Sequence, residues 1–149
     1  MKEFERRSIV NILILSIITL GLYIPLWLLR YREAFNGLNS ERKLTRGPLI
    51  ISFFILLLEI PYILVSFFYW TVPIDPMLDF GLQTFYLLGY IIILVYSFKA
   101  RNILIEHYGV EISPILTFFF SIFYLQYKIN RVLDLAPVEN APESMEVLS

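Results

Sequence analysis

Glu59 is the single charge in an apolar run spanning residues 49–69. A carboxyl group at the centre of a bilayer costs about 2.5–3.5 kcal/mol on insertion scales, so its presence there asks for a reason. Two chemistries fit: a hydrogen-bonded structural carboxyl, or a site that takes up and releases a proton or cation. No Lys or Arg lies at matching depth in the other apolar segments, and desolvation favours the neutral acid. Pro61, two residues on, frees the carbonyl of Leu57. That carbonyl is one candidate partner for Glu59. Tyr90, which a hairpin turning near Asp75 brings to the same depth, is the other.

The remaining polar residues offer less. Asp75 and Asp79 are the only charges in the connection 71–79; four apart, they suit a cation, but Asp75 before Pro76 also reads as a helix cap. His107, the one histidine, follows Glu106 at the end of a helix and is expected to be solvated. Arg30, Arg32, Arg42, Lys43 and Arg46 form a cluster suited to anionic lipid headgroups, or to fixing topology alone. Cysteine is absent, which excludes disulfides, a thiolate nucleophile and iron–sulfur ligation. With one histidine, a His-based metal site would need several copies of the protein, and no metal is expected. A net charge of −1 gives no basic face for nucleic acid. No phosphate loop, nucleophile elbow or paired catalytic carboxylates occur, so neither a cofactor nor an enzymatic activity is expected.

The elements that must position these residues are helices in lipid. The 149 residues are 58% hydrophobic and 17% charged, against about 25% charged in soluble domains. Residues 48–70 form a predicted span of about 34 Å, enough for a hydrocarbon core of about 30 Å, with Tyr69 and Trp70 in the interfacial belt. A second span covers 76–98 and its helix runs on past the membrane to a stop at Gly109. Two shorter hydrophobic elements, 8–29 and 114–127, flank the pair. The first follows Lys2, Arg6 and Arg7 as a secretory signal would, but bulky residues occupy the place of a cleavage site, so it reads as mature sequence. Gly21 and Pro25 break it into a short helix and a second, amphipathic one whose Trp27, Leu28, Tyr31 and Phe35 are expected to lie in the interface plane. Gly81 and Gly89 permit close helix approach. Residues 1–135 thus read as one all-α membrane domain, and 136–149 as an acidic, disordered tail.

Charge decides between two spans and four. If only 48–70 and 76–98 cross, all twelve Lys and Arg fall on one side; with four crossings they divide seven to five. The positive-inside rule favours two crossings, with the short elements re-entrant or interfacial and both termini on the cytoplasmic side of the cell membrane. The order of short element, span, span, short element has the outline of a mirrored repeat.

Residues 16–27, S-I-I-T-L-G-L-Y-I-P-L-W, resemble the T-L-G-I-Y-x-x-x-W signature of a family of small bacterial and archaeal membrane proteins known as a domain of unknown function. Residues 124–130, Y-L-Q-Y-K-I-N, resemble that family's closing L-Q-x-x-I-N element. The resemblance implies a small multi-pass membrane fold and no activity. Read physically, Thr19, Gly21, Tyr23, Pro25 and Trp27 form a turn by which the chain enters the membrane, with Tyr23 and Trp27 at interfacial depth. The function expected is that of a non-enzymatic accessory or interaction component, with the bilayer and a possible second copy or another membrane protein as partners. The alternative is an oligomeric channel or transporter subunit that uses Glu59.

Overall fold

Residues 4–68 and 75–135 are described by a computed structural model. Tyr69, Trp70 and the acidic tail 136–149 lie outside the described residues. Five helices occur among them, and no strand: α1 (Ile9–Ile18), α2 (Tyr23–Gly37), α3 (Arg46–Phe68), α4 (Pro76–Tyr108) and α5 (Pro114–Leu135).

α3 and α4 are the two helices long and apolar enough to cross a membrane. Their apolar stretches are only 22% and 17% buried within the chain, whereas the core helix of a soluble protein is mostly covered. α4 has 33 residues, about 50 Å, and so extends well past a hydrocarbon core. Local chemistry sets its ends. The Asp75 carboxylate accepts from the Met77 and Leu78 N–H groups at 2.9 and 3.1 Å, with Pro76 at the first helical position. Gly109 stops the helix at φ 64°, donating to the Ile105 carbonyl.

α1 is 10 residues, about 15 Å, too short to cross. It ends in a Schellman turn: Gly21 N–H donates to the Ser16 carbonyl at 2.7 Å and Leu20 N–H to Ile17 at 3.1 Å. Gly21 sits at φ 91°, as its lack of a Cβ allows. Leu20 also takes a positive φ, 49°, a strained conformation that a leucine does not signal. The Thr19 hydroxyl donates to the Leu15 carbonyl and accepts from Tyr23 N–H, joining the end of α1 to the start of α2. Pro25 falls in the first turn of α2, where its missing N–H costs nothing.

The core lies at the end of the molecule that carries the basic residues. α2 is its centre, packed on α3, α4 and α5. Trp27, Leu28, Tyr31 and Phe35 are at most 3% exposed, so the apolar face of α2 is covered by protein rather than left for lipid. Amphipathic spacing specifies that a face is covered; α3, α4 and α5 do the covering here.

α5 differs from the expected single apolar run as well. Ser121 takes φ 41°, ψ −119° and breaks it into two helices, so the first, apolar piece, 114–120, is only about 10 Å long. The Ser121 hydroxyl meets that of Ser97 on α4 at 2.7 Å. Both ends of the chain therefore have the same plan, a short helix with an exposed apolar face, a break, and a helix that joins the core.

Candidate functional site

Glu59 and Tyr90 meet as their depth predicts. The Tyr90 hydroxyl donates to Glu59 Oε2 at 2.9 Å, and Glu59 Oε1 has no hydrogen-bond partner among the described residues. Two further phenols bridge the same pair of helices. Tyr86, one turn from Tyr90, donates to the Leu58 carbonyl at 3.2 Å, next to the carbonyl that Pro61 frees. Tyr62, one turn from Glu59, donates to the Asp79 carboxylate, whose other oxygen accepts from Gln83 at 2.9 Å. Asp79 is thus held by Tyr62 and Gln83 while Asp75 caps α4, and neither joins a metal-binding group among the described residues. The Glu59–Tyr90 pair does not face an internal channel. Glu59 is half-buried and Tyr90 is 42% exposed, on the flank of the hairpin.

Close approach of α3 and α4 makes these contacts possible. A Cβ at Gly89 would stand 2.9 Å from Ile55 Cγ2 and 3.3 Å from Ile55 Cβ. Gly81 has open space around it, so of the two glycines expected to permit approach, Gly89 does.

The two terminal motifs come together in a second, buried constellation. Trp27 Nε1–H donates to Gln126 Oε1 at 3.0 Å. The Gln126 amide donates to the Glu5 carbonyl at 3.2 Å and to Asn130 Oδ1 at 2.8 Å. Asn130 in turn brackets the backbone of Arg7, donating to its carbonyl at 2.7 Å and accepting from its N–H at 3.3 Å. The Arg7 guanidinium donates to the Tyr23 hydroxyl at 3.3 Å and to Glu5 at 2.9 Å. Thr19 and Gly21 form the turn that joins α1 to α2, and Pro25 lies in the first turn of α2. Trp27 is 1% exposed, and its indole N–H is satisfied by a buried acceptor. Sequence reasoning found both motifs but did not join them. The signal was there: Leu125, Gln126 and Ile129 share one helical face with Asn130, and an amide on an apolar face needs a partner.

Most of the basic cluster has partners. Arg30 pairs with Glu5 at 3.0 Å, Arg42 with Glu106 at 3.0 Å and Arg32 with Glu33 at 3.9 Å. The Lys43 ammonium closes the end of α2 on the Asn36 and Leu38 carbonyls. Arg46 makes no ion pair among the described residues. His107, exposed as expected, accepts from Asn39 N–H at 3.1 Å.

Outside the spans, the Arg7 hydrogen bond and then the charge of Arg30 hold the Glu5 carboxyl below the ordinary carboxylate range. Burial raises the Tyr31 phenol.

Compared with protein-family models, curated proteins and solved structures, the chain has no match, so the resemblance carried by its terminal motifs rests on those residues alone.

Proposed function

We propose that this chain is a multi-pass protein of the cell membrane that acts, without catalysing a reaction, as an accessory or interaction component, associating in the bilayer with a second copy or another membrane protein. In this reading α3 and α4 cross. α1 and the first piece of α5 dip into the membrane from the cytoplasmic side and turn back, and both termini are cytoplasmic. The observation that carries the interaction role is the Glu59–Tyr90 pair. It lies mid-way along α3 on the surface of the hairpin, with one carboxyl oxygen open. A polar pair set against lipid gains from a neighbouring helix that supplies hydrogen bonds, by about 0.6–2 kcal/mol per contact.

A second reading draws on the same pair: a carboxyl that changes charge in an oligomeric channel or transporter subunit. Glu59→Gln and Glu59→Leu separate the two. Gln keeps volume and hydrogen bonding but cannot titrate; Leu loses both. Association is read by crosslinking in proteoliposomes and transport by proton or cation flux. For an interaction role, Gln associates as wild type does, Leu associates several-fold less, and no flux is seen. Wild-type flux that disappears in Gln at unchanged thermal stability establishes the transport reading instead. Association unaffected by either substitution removes the support for the interaction role.

A further inference from the structure

A cleft of about 560 Å³ opens between the cytoplasmic end of α4, the connection 109–113 and α5, and no part of the reading above uses it. Arg101, Ile105, Glu111, Pro114, Tyr124 and Lys128 are among its lining. Its volume falls in the range that takes a small-molecule ligand.

Among the described residues, neither cation there has a carboxylate partner. Arg101 Nε donates to the Ile112 carbonyl at 2.7 Å and Nη1 to the Asn102 side chain at 2.8 Å, and Nη2 has no partner among the described residues. Lys128 donates to the Glu111 backbone carbonyl at 2.7 Å and stands 5.6 Å from the Tyr124 ring centroid. These acceptors are neutral. The Glu111 carboxylate makes no ion pair with either cation among the described residues. Arg30 and Arg42, by contrast, are each within 3.0 Å of a carboxylate oxygen. Lys43 and Arg46 of the arginine cluster also make no ion pair among the described residues; what distinguishes Arg101 and Lys128 is that they line one cleft together.

We propose that the cleft binds the phosphate of an anionic phospholipid headgroup, with Arg101 and Lys128 as its cationic contacts. A lipid suits the place better than a soluble phosphate because the cleft leads directly onto apolar surface: Pro114 lines it, and the next residues, Ile115 and Leu116, are exposed and offer a path for acyl chains. Basic pockets between membrane helices on the cytoplasmic side bind such headgroups by this chemistry. The site rests on the membrane reading above.

The test uses purified full-length protein in mild detergent with dioleoylphosphatidylglycerol or dioleoylphosphatidylcholine, and bound lipid is counted by native mass spectrometry. Phosphatidylglycerol is retained in preference to phosphatidylcholine. Lys128→Gln weakens its binding about fivefold, the worth of one charge near the surface. Lys128→Arg restores it, and Arg42→Gln, outside the cleft, leaves it unchanged. Equal retention of the two lipids overturns the site, as does wild-type binding by a folded Lys128→Gln variant. Glycerol 3-phosphate binding as tightly as the lipid overturns the lipid source. Alkaline extraction of membranes, run alongside, keeps the two readings apart. Protein that stays in the membrane without lipid selectivity sinks the headgroup site only, and protein that is released sinks the membrane reading with it.

Discussion

Trp27 and Gln126 are 99 positions apart and meet in a fully buried hydrogen bond. Such a bond contributes about 1 kcal/mol net, but a buried group stranded without its partner costs about 1–3 kcal/mol. Gln126→Leu strands the Trp27 indole N–H and leaves the Glu5 carbonyl only the 3.5 Å bond from the Tyr31 hydroxyl, and Trp27→Phe strands the Gln126 oxygen. Each single variant is expected to lose about 1–3 kcal/mol in reversible unfolding in detergent, and the double variant less than the sum, because the second change removes a group the first had stranded. Full additivity would show that the two side chains do not act as a pair. Glu5 gives this end of the molecule a pH dependence. Its folded pKa lies below the ordinary 4.5, so its contribution is present above that value and is lost as pH falls through the lowered one. Between pH 6 and 3 the thermal midpoint of the wild type should therefore fall more steeply than that of Glu5→Gln. At neutral pH the two differ little, since ion pairs this exposed are worth little. Parallel profiles would remove the role of Glu5.

At the scale of elements, the α3–α4 contact depends on the missing side chain at Gly89. The methyl of Gly89→Ala would press on Ile55, whose branched Cβ is itself only 3.3 Å away and cannot swing clear. In lipid, where packing rather than hydrophobicity joins helices, that overlap is expected to cost about 1–3 kcal/mol. Gly81→Ala, on the same helix in open space, should be neutral or stabilising by up to about 1 kcal/mol. Thermal unfolding of the pair reads the difference, and equal midpoints would mean that α3 and α4 are not locked at this point. The limits of α4 were legible in the sequence because Asp75-Pro76 and Gly109 have local chemistry of one meaning. The break after α1 was legible from Gly21, but the positive φ of Leu20 and the break at Ser121 were not, since neither residue type favours a positive φ and the surrounding structure imposes it. Depth alone made Tyr90 one of two candidate partners for Glu59, the other being the Leu57 carbonyl. The partners of α2 were not legible, because amphipathic spacing does not say whether lipid or protein covers the apolar face.

For the whole molecule, the two-crossing arrangement rests on length and charge together. Among the described residues, α3 and α4 are the helices long enough to span. Arg6, Arg7, the arginine cluster, Lys99, Arg101, Lys128 and Arg131 all fall at one end of them, while Asp75 and Asp79 mark the other. α1 at about 15 Å and the first piece of α5 at about 10 Å are shorter than a hydrocarbon core of about 30 Å, and Ile18 and Phe119 on them are each 72% exposed and apolar. The absence of native cysteine gives labelling a clean background. Met77→Cys, at a position 88% exposed, is expected to react with an impermeant maleimide added to intact cells. Glu41→Cys and Ser144→Cys should react only after permeabilisation. Ile18→Cys and Phe119→Cys should resist the impermeant reagent from both sides and take a membrane-soluble one, as tips held in hydrocarbon would. Four crossings predict a different set, with Ser144→Cys labelled in intact cells while Glu41→Cys stays protected, because one added span at each end carries each terminus across. That outcome would also place Arg6, Arg7, Lys128 and Arg131 outside, against the charge rule that led to two crossings.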